Sequence, residues 1–149
     1  MRDAALARPA STRRPVHLWV VGVLSLLWNC FGAFDYLATE LRLGFYIKQI
    51  PPDQMAYIES YPAWAVAMWA LGVWGAFAGS VGLLLARRWA VWAFALSLLG
   101  LAVNTVYNLG IHEAPHSQGA AAAMMGLIWV VAVALLVYSW RLSRRGVLR

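Results

Sequence analysis

A chain of 149 residues that is 62% hydrophobic and only 12% charged, with nine tryptophans and a mean hydropathy of +0.65, is short of the polar surface a water-soluble domain needs, since such domains carry about 25% charged residues. Its formal charge of +6 does not mark a nucleic-acid partner, because the arginines gather at the chain ends and in one tight turn instead of along a face. The single cysteine, Cys30, excludes an intrachain disulfide and a CxxC redox pair.

Residues 1–15 are rich in Ala, Arg and Pro and are expected to form a disordered basic arm. Thr12-Arg13-Arg14-Pro15-Val16 resembles a twin-arginine export signal, but the apolar run behind it is too long for a cleavable signal core and continues into Phe34, Asp35 and Tyr36. It is read as a retained first span, Leu18 to Ala38. A bilayer core of about 30 Å needs about 20 apolar residues in a helix, and three further stretches qualify: residues 63–86, 89–111 and 120–140. The fold expected is all-α, a transmembrane four-helix bundle over residues 16–142, followed by a basic tail at 143–149.

The connection from Thr39 to Pro62 is the longest and is half apolar, which suits a segment lying in the interface or capping the bundle. Pro52-Asp53-Gln54 has the character of a helix start. The turn at Arg87-Arg88 is minimal, so the second and third spans form an antiparallel hairpin. Gly72, Gly75, Gly79 and Gly82 recur at steps of three, four and three, which keeps them on one helical face where another backbone can approach. That face serves either a neighbouring span or a second copy of the chain.

Charge sets the orientation. Arg2, Arg8, Arg13 and Arg14, the Arg87-Arg88 turn, and Arg141, Arg144, Arg145 and Arg149 fall on one side if all four spans cross. Asp35, Glu40, Asp53, Glu59 and Glu113 fall on the other, with only Arg42 and Lys48 among the bases. By the positive-inside rule both termini are cytoplasmic.

Polar groups inside spans are costly and mark function more often than chance. Asn29, Asp35 and Tyr36 lie in the first span, and Asn104, Tyr107 and Asn108 in the third. Counted along the helices, they are expected to converge toward the outer leaflet as an outward-facing polar pocket between spans one and three. The alternative is interhelical hydrogen-bond glue. His112-Glu113-Ala114-Pro115-His116 spells HExxH, but Pro115 disfavours the helix that would put both histidines on one face. No metal site is expected, with His112 and His116 the weak candidates, and no cofactor.

Leu27-Trp28-Asn29 with Gly32 and Asp35-Tyr36, then Tyr61-Pro62-Ala63-Trp64, then Gly82-Leu83-Leu84-Leu85 before Arg87-Arg88-Trp89-Ala90 resemble small bacterial inner-membrane proteins of the DoxX-like group, some of them loosely labelled sugar-transporter-like. The resemblance covers residues 18 to 145 and implies a four-helix bundle without established active-site residues. The function expected is that of a non-enzymatic accessory or binding component of the bacterial inner membrane. Its partners would be the lipid bilayer and a homo-oligomer or larger membrane complex, with no nucleic acid. An oligomeric small-molecule transporter and a quinone-linked redox protein are the alternatives.

Overall fold

The computed structural model describes residues 15–111 and 119–149; the basic arm and the HExxH segment with His112 and His116 lie outside the described residues. The chain is all-α, with no strand among the described residues. Helix α1 spans Val16–Glu40, α2 Gly44–Ile47, α3 Pro52–Glu59, α4 Ala63–Leu84, α5 Trp89–Val106 and α6 Ala120–Arg144. A π-helical turn, Tyr107–Ile111, extends α5. Among the described residues four helices are long and apolar enough to cross a membrane: α1, α4, α5 with its π turn, and α6. α1, α4 and α6 have 25, 22 and 25 residues, or about 33 to 38 Å at 1.5 Å per residue, enough for a hydrocarbon core of about 30 Å.

Three helices stop in the same way, and the stops fix the connections. In a Schellman ending the residue after the cap turns left-handed, and its amide and the next bond back to the last turn. At α6 that residue is Gly146 (φ 70°), with Gly146 N–H donating to Ser143 O (3.1 Å) and Val147 N–H to Leu142 O (3.0 Å). At α4 it is Ala86 (φ 54°), with bonds to Leu83 O (3.0 Å) and Gly82 O (2.8 Å) from Ala86 and Arg87. At α1 it is Arg42 (φ 50°), bonded in the same pattern to Thr39 and Ala38. Ala86 and Arg42 hold a conformation that costs a residue with a Cβ about 1–2 kcal/mol; the reversals they make place the hairpin turn and the cap.

α4 is the spine of the bundle, packing against α1 on one face and α5 on the other. Gly72, Gly75, Gly79 and Gly82 all face α5. A Cβ on Gly75 would lie 3.0 Å from both Ala93 O and Ser97 N, and one on Gly79 would meet the Phe94 ring at 2.7 Å. Gly100 answers from α5, where a Cβ would lie 2.6 Å from Gly72 N and Met68 O. Ser97 Oγ donates to Gly72 O (2.5 Å) across the same seam. Backbone apposition this close replaces the hydrophobic drive that lipid does not supply.

The α1 seam is built from larger groups. Leu18, Gly22, Ser25 and Asn29 are buried at steps of four, three and four, the spacing of a knobs-into-holes stripe. Gly22 faces Leu84, Asn29 Nδ2 donates to Ser80 Oγ (2.8 Å), and Tyr36 meets the edge of Trp69 with centroids 4.9 Å apart. α6 packs on α5, and Trp129 Nε1–H donates to Thr105 Oγ1 at 3.2 Å. Its first turns, Ala121 to Leu127, are exposed around their whole circumference.

One core cluster joins the start of α1 (Leu18), the end of α4 (Leu83), the start of α5 (Ala90) and the end of α6 (Leu142). The start of α1, the end of α6 with residues 145–149, and the Arg87-Arg88 turn therefore lie at one end of the bundle, the basic end. α2, α3 and the described carboxylates lie at the other. The segment 143–149 is more than a charged tail, because Leu148 is fully buried in this cluster. Arg149 N–H donates to Ala86 O (2.8 Å), and Arg88 N–H donates back to Arg149 O (2.9 Å).

Candidate functional site

At the acidic end the 39–62 segment folds over the bundle as a cap. Pro51-Pro52 ends the preceding turn and starts α3, with Pro52 at the first helical position, where its missing N–H is not needed. α3 carries Tyr57, and the chain then turns through Tyr61-Pro62 into α4. Arg42 and Glu59 tie the end of α1 to α3 by an exposed ion pair of 3.0 Å, a contact worth about 0–1 kcal/mol.

Under the cap lies a chain of hydrogen bonds. Tyr57 O–H donates to Asn108 Oδ1 at 2.6 Å, and Tyr61 O–H donates to the same oxygen. Asn108 Nδ2 donates to Asn104 Oδ1 (3.1 Å), and Asn104 Nδ2 donates to Ala65 O (3.1 Å). The acceptor at the end is a backbone carbonyl in the first turn of α4. Three elements thus meet through two carboxamides: α3, the start of α4, and α5 with its π turn. The π turn begins at Tyr107, immediately before Asn108; single π turns inside helices recur at functional sites.

Aromatic rings surround this chain. Tyr107 is buried and takes Tyr61 and Trp64 edge-on, with centroids 5.3 and 5.0 Å away. Tyr57 packs edge-on to Tyr61 at 5.3 Å. Burial pushes the hydroxyls of both Tyr57 and Tyr61 above the ordinary tyrosine range, so they stay neutral donors. The result is a hydrogen-bonded polar chain packed among aromatic rings.

The six residues singled out in the sequence divide into four places. Asn104, Tyr107 and Asn108 come together in the capped cluster. Asp35 accepts a hydrogen bond from Tyr46 of α2, and burial, then that bond, pushes the Tyr46 hydroxyl up to about 12. Tyr36 lies against Trp69 and Trp74. Asn29 is elsewhere: its partners Ser80 and Ala76 O lie about 16 to 22 Å along α4 from Ala65, the partner of Asn104. α4 is the helix both asparagines reach, Asn29 from α1 and Asn104 from α5.

Two members of the cluster were not singled out in the sequence, Tyr57 and Tyr61. Their four-residue spacing ahead of a proline was the one available signal, and nothing in it pointed to Asn108. Among the described residues no buried side-chain nitrogen or oxygen lacks a hydrogen-bond partner, and no group of three or more metal-ligating side chains occurs. No protein-family model matches this chain, and no curated protein or solved structure matches it.

Proposed function

We propose that this chain is a small non-enzymatic component of the bacterial inner membrane, with its termini in the cytoplasm, that binds a ligand or partner segment at its acidic, outward end. A kinship with DoxX-like membrane proteins belongs to this reading and rests on the sequence motifs. The supporting observation is the tyrosine–asparagine chain under the cap. Two tyrosine hydroxyls converge on one carboxamide oxygen where α3, α4 and the π turn meet. Polar groups in spans are costly, and here they are concentrated at the end of the span where an occupant can enter from outside. Asn108 is the residue on which the binding depends; Asn104 and the aromatic rings orient it, and Asp35 with Tyr46 holds the cap on α1.

The test compares wild type, Asn108→Leu and Asn29→Leu, each purified in mild detergent, with mass spectrometry of co-purifying lipids, small molecules and proteins. Asn29 also makes side-chain carboxamide hydrogen bonds, but to Ser80 and Ala76 in the second half of α4, and serves as the packing control. The expected result is a species retained by wild type and Asn29→Leu and lost from Asn108→Leu, with all three inserted at equal yield. Asn29→Leu itself should cost only about 0.6 kcal/mol, the average for an interhelical hydrogen bond in a membrane. If nothing co-purifies with wild type, or Asn108→Leu loses its fold along with its cargo, the cluster is structural glue and the binding reading fails.

A further inference from the structure

The basic end carries a feature that the charge count alone does not give. Arg87 and Arg88 sit in the α4–α5 turn, and Arg141 and Arg144 lie in the last turn of α6 with Arg145 at its C-cap. These two sets are about sixty residues apart in the chain, and the docked tail joins them. Gly146 reverses the chain, Leu148 enters the core, and Arg149 pairs with the backbone on both sides of Arg87. Arg88 Nε–H adds a bond to Leu148 O at 3.2 Å, which fixes its guanidinium against the tail. The segments that meet here, 15–20, 84–92 and 138–149, contain no aspartate or glutamate.

The rim of this surface is aromatic. Trp92 and Trp140 are 74% and 52% exposed, at the depth where tryptophan prefers the headgroup level. Arg144 lies over the Trp140 ring, 5.7 Å from its centroid, which holds a cation at that same level. Guanidinium groups bind phosphate oxygens in a planar two-pronged geometry that ammonium groups do not reproduce, and these segments carry arginines and no lysine.

We infer that the tail-clasped arginine surface at the basic end is a binding site for the headgroup phosphates of anionic phospholipids, assembled only when residues 146–149 dock on the Arg87-Arg88 turn. The site selects phosphate-bearing lipids with net negative charge over zwitterionic ones, and its occupant in turn neutralises the repulsion among the gathered arginines and holds the tail in place. It lies at the end of the bundle opposite the capped cluster and does not depend on the ligand proposed there.

The experiment uses the full chain in mild detergent, titrated with an equimolar mixture of phosphatidylglycerol and phosphatidylcholine and read by native mass spectrometry. Wild type should retain phosphatidylglycerol in preference by about tenfold or more. Arg87→Gln/Arg144→Gln/Arg145→Gln keeps the backbone clasp and should abolish the preference, whereas Arg42→Gln/Lys48→Gln at the opposite end should leave it intact. Gly146→Val changes no charge but strains the left-handed turn that returns the tail, and it should weaken the preference as well. Equal loss in the Arg42/Lys48 variant, or a full preference in Gly146→Val alongside loss in the triple variant, would show charge attraction without an assembled site and overturn the inference. Absence of any preference in wild type would overturn it too.

Discussion

Gly100→Val should break the α4–α5 hairpin, with the largest loss of stability of any single substitution in the membrane region. A Cβ at this position would lie 2.6 Å from Gly72 N and from Met68 O. Both are backbone atoms of α4, so no side chain can rotate away, and the two helices must separate along the whole seam. Overpacking of a tight interior costs about 1–3 kcal/mol and occasionally more, and in this seam the separation also lengthens the bond from Ser97 Oγ to Gly72 O. Gly100→Ala should fall within that range and Gly100→Val beyond it. Gly126 supplies the control: it lies within α6 with nothing within 4 Å of its Cβ position, so Gly126→Ala should be neutral or stabilise by up to about 1 kcal/mol through helix propensity. Thermal unfolding in mild detergent reads all three, and a Gly100→Val protein that melts with wild type would contradict the close seam.

Leu148→Ala should destabilise the basic end by about 2–5 kcal/mol, the usual cost of truncating a fully buried leucine. Leu148 is 0% exposed and packs in the cluster with Leu18, Leu83, Ala90 and Leu142, so all four spanning helices lose a shared contact. The backbone bonds between Arg149 and the α4–α5 turn lose their anchor at the same time. Leu24 gives the comparison. It is 61% exposed on α1, and Leu24→Ala exchanges only lipid or detergent contacts, so its effect should be small. Chemical unfolding in detergent with proteolysis at the tail separates the two. A Leu148→Ala protein as stable and as protease-resistant as wild type would mean the tail does not dock.

The spans were legible in the sequence because lipid imposes one strong rule: about twenty apolar residues without charge. The glycine stripe of α4 was legible by its spacing, but its partner was not, since a small-residue face fits a neighbouring span and a second chain equally well. Gly100 settles the partner only in three dimensions, where it meets Gly72. α1 continues past the expected Ala38 to Glu40 because the Schellman ending at Arg42 decides its length. The tail was legible as charge alone; its docking depends on one leucine and one glycine, and neither forms a pattern that periodicity can detect.

The polar residues show a similar limit. Depth counted along each helix brought Asn29 and Asn104 toward one region, but depth says nothing of which helix lies between. α4 takes Asn29 near Ser80 and Asn104 near Ala65, so each asparagine finds its partner on α4 and the two sit at different levels. Asn108 and Tyr107 were recognisable as unusual residues near the end of a span. The π turn that begins at Tyr107, and the tyrosines that reach Asn108 from the cap, follow from tertiary contacts of the 39–62 segment.

The measurement closest to the central claim is the side of the membrane on which each end of the bundle lies. In a Cys30→Ser background, Gln54→Cys on the cap and Arg145→Cys at the end of α6 are each exposed to a membrane-impermeant maleimide. On intact spheroplasts Gln54→Cys should label and Arg145→Cys should not, with Arg145→Cys labelling fully once the membrane is opened. Labelling of both from the same side, or of Arg145→Cys from outside, would contradict a four-span bundle whose basic end is cytoplasmic and whose capped cluster faces out.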